Sequence, residues 1–408
     1  MFQADVNRIK GLLLGHAVGD ALGLPVEFSS REELKKHPVT EMRGHGTYDM
    51  PAGAWSDDTS MTLCLLDAIT HDFRGDYRGL MERFVRWKYE GAFTPTGVAF
   101  DIGLGTRKAI ARFEHGTDPL ECGGNDEMDN GNGALMRIAP LIPYVFVQFG
   151  SRLPDGAMEL VHDVAALTHR HPRSLIACGI YACIGVQLLR GRSPRKAVWI
   201  GYRHAREYYR AAGDAFRKEW KAYDRLRDND AFAALPEQDI RSSGYVVDTL
   251  EAVIWCLLTT SSYESCVERA VNLGEDTDTV GAIAGGLAGL AYGYDSIPKR
   301  WLKVLLEREE LLKQVRTFEQ RLSTMHGCDI KWRAMGKAEL VQGMLSCLDA
   351  ADTEVYAVEW QDRYRVSNYS DCFGQAGISS EVLTHRLEEK LVNQYDEFQC
   401  RVVLTILL

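Results

Sequence analysis

Residues 274–291 read Gly274-Glu275-Asp276-Thr277-Asp278-Thr279 and then Val280-Gly281-Ala282-Ile283-Ala284-Gly285-Gly286-Leu287-Ala288-Gly289-Leu290-Ala291. Carboxylates and hydroxyls run straight into an apolar stretch without strand-like alternation, the pattern of a buried helix with a polar opening turn. Gly281, Ala284, Gly285, Ala288 and Gly289 fall on one face of that helix. Glycine inside a helix costs about 1 kcal/mol relative to alanine. Its repetition therefore predicts a neighbour packed tightly against this face, or a ligand close to the backbone.

More than two hundred residues earlier, Trp55-Ser56-Asp57-Asp58-Thr59 has the same form and leads into the apolar run Met61 to Ile69. Ser, Thr and Asp are favoured at helix N-caps, and acids in a first turn complement the helix dipole. Either cluster alone reads as a cap. Two of them, each abutting an apolar helix, also read as hard oxygen ligands, which suit Mg²⁺ or Mn²⁺ and suit zinc or copper poorly. Capping and ligation are compatible.

The same helical period recurs along most of the chain. It predicts helices over 8–24, 79–91, 100–114, 157–168, 173–190, 195–223, 250–258 and 280–291, and a long amphipathic one over 299–322. A loop rich in Gly, Pro and charge is expected from about 29 to 56. With alternation nearly absent over the first 320 residues, the expected fold is an all-α, compact multi-helix bundle spanning 1–324. Residues 325–408 change character and predict a small appended α+β module. In it Lys337–Leu348 and Ser379–Val392 read as helices, while Val355–Val366 and Gln399–Leu407 read as strand-forming. The module carries no motif with chemistry, and an interaction or oligomerisation role is the reading left for it.

Composition bounds the function. A 46% apolar fraction is ample for a large core, and a net charge of −10 argues against a nucleic-acid partner. Basic residues cluster at 190–196 and 203–227, but the second run alternates with acids and aromatics and reads as a solvated helix face. Ten cysteines show no C-x-x-C pair, and Cys64, Cys178, Cys183 and Cys256 lie in apolar helical patterns as reduced core thiols. No signal-peptide pattern opens the chain. His16 and Asp20 interrupt the first apolar run, so no span is expected to cross a membrane. A reducing cytoplasm is the expected location.

Further segments carry weaker signals. Gly15-His16-Ala17-Val18-Gly19-Asp20-Ala21-Leu22-Gly23 leads to Glu27, either a surface acid or a base entering a cleft. Asn130-Gly131-Asn132-Gly133-Ala134-Leu135-Met136-Arg137 is either a plain turn or a loop whose amides cradle a phosphate. His169, near a helix C-terminus before Pro172, is explained by the dipole alone or by a ligand contact. Tyr245, after Gly244, is a core tyrosine or an aromatic face for a base, and Asp101 with Gly103 and Thr106 is similarly open.

In this order, and across roughly residues 8–320, these segments resemble the ADP-ribosylglycohydrolase family, which takes in dinitrogenase reductase-activating glycohydrolases and hydrolases of arginine- and serine-linked ADP-ribose. The resemblance implies two Mg²⁺ or Mn²⁺ ions, held by Ser56, Asp57 and Asp58 on one side and Asp276, Asp278 and Thr279 on the other. It implies Glu27 and Asp101 as the acids at the reacting ribose. It places the loop containing Asn130, Gly131, Gly133 and Met136 around the diphosphate, His169 on ADP-ribose, and Gly244 and Tyr245 beside the adenine. Ser56 stands where threonine is common, which keeps the hydroxyl, and Glu275 where glycine is common, which adds a carboxylate.

The activity so implied is metal-dependent hydrolysis that removes ADP-ribose from modified protein side chains, through an oxocarbenium-like state at the anomeric carbon. A guanidinium leaving group wants carboxylates nearby, and Glu275 and the acids within 126–129 offer them, which favours arginine over serine-linked or O-acyl ADP-ribose. The implied partners are an ADP-ribosylated protein and the ADP-ribosyltransferase or toxin that marks it. Two other readings use the same residues. One is a non-catalytic binder that blocks a modified protein or a toxin. The other is a metal-dependent phosphohydrolase, which leaves the remaining segments unexplained.

Overall fold

The computed structural model describes residues 3–71, 73, 75–324, 357–360, 364–366 and 400–403. Two compact units divide after Ser323. Among its described residues the first unit is built from α-helices joined by short 3₁₀ turns and loops. The chain runs through α1 (Gln3–Gly23), α2 (Arg31–Lys36), α3 (Asp57–Thr70), α4 (Tyr77–Glu90), α5 (Leu104–Glu114) and α6 (Leu141–Phe149). It continues with α7 (Asp155–Ala166), α8 (Pro172–Leu189), α9 (Pro194–Ala211), α10 (Asp214–Glu219) and α11 (Asn229–Ala233). Last come α12 (Val246–Thr259), α13 (Tyr263–Val271), α14 (Thr277–Tyr292), α15 (Lys299–Val304) and α16 (Arg308–Thr324).

The glycine face of α14 meets a matching one on α1. Gly11 lies against Gly289, Gly15 against Gly285, Gly19 against Gly281 and Gly23 against Thr277, so the helices run antiparallel in one unbroken register. A Cβ at any of these glycines would come within 3.0 Å of the partner backbone. That closeness is why an element buried this deeply tolerates so many poor helix formers: side-chain bulk is given up for main-chain contact. Tyr263 of α13 locks the pair by donating its hydroxyl to the Gly15 carbonyl at 2.8 Å. Arg8 caps the far end, donating to the carbonyls of Leu290 and Ala291, where a cation suits the helix C-terminus. The paired helices are therefore fixed along their length, and the C-terminal end of α1 stands beside the N-terminal end of α14.

Several expectations about elements need correction. The stretch 195–223 is not one helix, because Gly213, with φ +104°, separates α9 from α10 and a 3₁₀ segment follows over Trp220–Arg227. The stretch 299–322 divides between α15 and α16, with Glu307 in the left-handed region at φ +46°. Residues 100–103 are not helical, and Asp101 has φ +53°. Two spans, Val6–Val26 and Pro172–Leu189, are in fact long and apolar enough to cross a membrane. They are core helices of this fold, 83% and 89% buried, and His16 and Asp20 sit inside the protein with them.

Of the second unit, three short strands are described: β1 (Ala357–Trp360), β2 (Tyr364–Val366) and β3 (Cys400–Val403). They form an antiparallel sheet in the order β2-β1-β3, with Val358 opposite Val366 on one side and Val402 on the other. β1 and β2 lie within the alternating stretch Val355–Val366, and β3 lies within Gln399–Leu407, also read as strand-forming. The helices expected over Lys337–Leu348 and Ser379–Val392 fall outside the described residues.

Candidate active site

The two acidic clusters, distant in sequence, open two helices whose N-termini converge. Ser56 is the N-cap of α3 and accepts from the Asp58 amide at 3.2 Å, while its hydroxyl donates to Asp58 Oδ2 at 2.9 Å. Thr279, in the first turn of α14, donates to the same Asp58 oxygen at 3.3 Å across the junction. Each cluster therefore does cap or open a helix, and the capping geometry is what turns its carboxylates toward the other.

Asp20 holds the junction from beneath. Its carboxylate accepts from the Ser56 amide at 2.9 Å and from the amide and hydroxyl of Thr59 at 3.0 and 2.6 Å. It is thus a cap supplied to α3 by α1. Burial pushes its carboxyl up to about 7 against the pull of these donors.

One carboxylate oxygen from each of Asp20, Asp58 and Asp278 lies within 4.8 Å of the others, and the same holds for Glu27, Asp101 and Asp278. Asp278 is common to both triplets; Asp57 and Asp276 belong to neither. Asp57 is buried beside them, whereas Asp276 accepts from Asn132 at 2.7 Å. Burial is the largest cause holding Asp57, Asp58 and Asp278 well above the ordinary carboxylate range, and repulsion from neighbouring carboxylates adds to it. Burial also pushes Glu27 up to about 8, helped by the charges of Asp101 and Asp276.

The donor set fits a hard cation. Asp58 Oδ1, Asp278 Oδ2 and Glu27 Oε2 are buried without a hydrogen-bond partner. No basic side chain figures among the leading influences on these acids. Buried carboxylate oxygens without donors are costly alone. A cation coordinated by oxygen would satisfy them, and nothing softer than oxygen stands in either triplet.

Asp101 is aimed by its left-handed backbone and by Tyr48, which donates to its Oδ1 at 2.6 Å. Burial raises its carboxyl against that hydrogen bond.

A second wall comes from the Asn/Gly loop. It is stitched to the N-terminus of α12 by the Asn132 amide on the Gly244 carbonyl at 3.1 Å and the Val246 amide on the Asn130 carbonyl at 3.0 Å. This bridge sets Gly131 opposite Tyr245 and brings Asn132 onto Asp276. Asn130 accepts from Ser174 at 3.1 Å. Met136 is buried, and its carbonyl accepts from Thr62 of α3 at 3.3 Å. Arg137, fully buried, donates to the Gly133 and Val164 carbonyls and braces the loop from behind.

His169 is 4% exposed, and its imidazole is enclosed by Gly105, Gly131 and Gly133. A Cβ at Gly105 or Gly133 would lie 2.8 Å from the ring. Burial, and then the charge of Arg137, depress its pKa to about 3, so the ring is neutral. Its contacts are those of a spacer supporting the loop. Tyr245 is half-buried, with its hydroxyl accepting from Arg173 at 3.0 Å, and Arg173 in turn pairs with Glu219 at 2.6 Å. Gly244 is exposed, and a Cβ there would lie 3.2 Å from Asp276 Oδ2.

The structure thus brings Ser56, Asp57, Asp58, Asp278, Thr279, Glu27 and Asp101 together on one side. Asp276 links them through Asn132 to the loop wall of Asn130, Gly131, Gly133, Gly244 and Tyr245. Sequence reasoning did not single out Asp20, Tyr48, Asn132, Thr59 or Arg173 as members of this assembly. A carboxylate inside the apolar run of α1 was the available signal for Asp20, and Thr59 and Asn132 stand within the two motifs already read as site segments; Tyr48 and Arg173 carried none.

Comparison with known proteins identifies the family. The family model described as ADP-ribosylglycohydrolase matches residues 2–327. The ADP-ribosylarginine hydrolase Tri1 of Serratia proteamaculans is 34% identical over 75% of this chain and 77% of that protein. The ADP-ribosyl-[dinitrogen reductase] glycohydrolase of Rhodospirillum rubrum is 31% identical over 79% of this chain and 98% of that protein. A solved structure titled "ADP-ribosylglycohydrolase-related protein complex" superposes with a TM-score of 0.63 at 33% identity, covering 78% of this chain and 99% of that one. The chain belongs to the ADP-ribosylglycohydrolase family and is an enzyme of that class.

Proposed function

We propose that this enzyme releases ADP-ribose from arginine side chains of modified proteins, with two divalent cations in the site. The observation that carries the reading is the pair of carboxylate triplets, Asp20–Asp58–Asp278 and Glu27–Asp101–Asp278, in which Asp58 Oδ1, Asp278 Oδ2 and Glu27 Oε2 have no hydrogen-bond partner. Two relatives described above are named for arginine-linked or dinitrogen-reductase-linked ADP-ribose, which supports the arginine linkage. Mg²⁺ or Mn²⁺ ions held by Ser56, Asp57, Asp58, Asp276, Asp278 and Thr279 would supply Lewis-acid polarisation of the ribose hydroxyls and of a water.

The protein's own groups do the rest. Within the Asn130–Met136 loop the Asn132 and Met136 amides are taken by the Gly244 and Asn132 carbonyls, so the Gly131 and Gly133 amides are the ones offered to the diphosphate. Tyr245, pinned by Arg173, offers a ring face to the adenine. In the reaction a water oxygen bonds to C1 of the ribose as the C1–N bond to the guanidinium breaks. Glu27, with Oε2 unpartnered and ionised where bound cations would offset the neighbouring carboxylate charges, accepts the water proton, and that proton leaves with the arginine nitrogen. Asp101, with one oxygen held by Tyr48, orients the ribose and is the runner-up for the proton. The modifying enzyme, an ADP-ribosyltransferase or toxin, would be the activity it reverses. Six described cysteines are buried and free, in keeping with a proposed cytoplasmic setting.

The test is release of free ADP-ribose from an arginine-ADP-ribosylated protein, with Mg²⁺ or Mn²⁺ and with chelator. Metal-dependent release that falls about a hundred- to a thousandfold in Asp58→Ala and Asp278→Ala is expected. Release only from serine-linked substrate would change the linkage assignment. ADP-ribose binding with no release from either would leave the blocking role.

A further inference from the structure

Seven described non-glycine residues have positive φ, and two of them, Phe28 at +67° and Glu275 at +64°, are joined to each other. The Phe28 amide donates to the Glu275 carbonyl at 2.7 Å, and the Glu275 amide donates to the Ser29 carbonyl at 2.9 Å. This clip ties the segment after α1 to the opening of α14. Phe28 directly follows Glu27, and Glu275 directly precedes Asp276, so the clip forms the rim of the active site.

A left-handed bend asks only for backbone, and glycine meets it without strain. Here both bends carry large side chains, and both side chains point to solvent. Phe28 is 70% exposed, the most exposed Phe, Tyr or Trp among the described residues. Glu275 is also exposed, and its carboxylate forms no ion pair among the described residues. Neither side chain contributes to the core, so packing does not account for them. Strained, exposed residues at the edge of a reaction centre are explained by what they meet there.

We propose that Phe28 and Glu275 are the specificity lip for the leaving group, an inference that rests on the arginine-linked reading of the site. Glu275 pairs with the guanidinium of the modified arginine, and the Phe28 ring lies over its plane. Guanidinium is planar and cationic, donates through a fork and stacks on aromatic faces, so an acid beside an aromatic ring is its complement. A serine ether oxygen carries no charge and gains nothing from Glu275.

The experiment uses the full chain with Mg²⁺ or Mn²⁺ and compares wild type with Glu275→Gly, Glu275→Gln and Phe28→Gly. Substrates are one peptide ADP-ribosylated on arginine and one on serine. KM for the arginine-linked peptide should rise about tenfold in Glu275→Gly, with Tm unchanged or raised because glycine relieves the bend. Phe28→Gly should raise KM in the same direction. Glu275→Gln, which keeps shape without charge, repeats the KM effect should the glycine variant lose stability. A KM within twofold of wild type in both Glu275 variants, or a loss confined to kcat, overturns the proposal while leaving arginine hydrolysis standing. A wild-type enzyme that cleaves only the serine-linked peptide overturns the arginine reading itself, and this proposal with it.

Discussion

His162 of α7 stacks on Phe216 with ring centroids 5.3 Å apart and shares a 2.8 Å hydrogen bond with the Tyr209 hydroxyl. Burial lowers its pKa from 6.5 to about 4. Between those values the unfolded chain binds a proton that the folded chain refuses, so stability rises with pH across that window and is lost on acidification from 6.5 toward 4. His16, at about 4, and His169, at about 3, add in the same sense. Urea titrations from pH 7 down to 4 should show this decline, with His162→Gln removing on the order of 3 kcal/mol of it at the acid end. An identical slope in the variant would mean that His162 is already charged in the native protein. At this scale the sequence showed the acidic clusters, because capping residues and first-turn acids are local patterns. It did not show Asp20 or Asn132 as site residues, because their partners Ser56 and Asp276 lie 36 and 144 positions away.

The α1–α14 pair sets the separation of the acidic clusters, so its glycines carry the next prediction. A Cβ at Gly285 would collide with the Gly15 carbonyl oxygen, which belongs to backbone and has little freedom to retreat. Overpacking of this kind costs about 1–3 kcal/mol, against about 1 kcal/mol gained from alanine's helix propensity. Gly285→Ala should lower the urea midpoint and the activity together. Gly156→Ala, in α7 with nothing within 4 Å of the added carbon, should hold or raise the midpoint. Equal behaviour of the two variants would remove close backbone packing as the reason for the glycine face. α2 falls inside the stretch 29–56 expected as loop, whereas most of the long helices of this unit were legible because the apolar period is strong. The breaks at Gly213 and Glu307 were not, since each turns on one left-handed residue while the amphipathic period carries on across it. Two core-facing helices also went unread, α6 as a short, mostly apolar run and α13 as a short charged one.

For the molecule as a whole, the buried acids make stability depend on what binds between them. A cation that binds only the native state stabilises it by mass action, about 2.7 kcal/mol at a hundredfold excess over Kd. For a unit of this size that corresponds to a Tm rise of about 4 °C. Mg²⁺ or Mn²⁺ in place of EDTA should therefore raise Tm, and Asp278→Asn should abolish most of the rise because both triplets use that residue. No shift in wild type would argue against cations in this site. The register of α1 on α14 has a further consequence, one of time. The Thr277 hydroxyl bonds the Gly23 carbonyl across 254 positions of chain. At synthesis rates of about 5–20 residues per second, α1 waits roughly 10–50 s for its partner to leave the ribosome. During that interval a helix apolar enough to enter a bilayer must be kept from aggregating, and until it ends no catalytic centre exists. Nascent chains of this enzyme are therefore inert by construction of their topology and dependent on whatever shields that first helix.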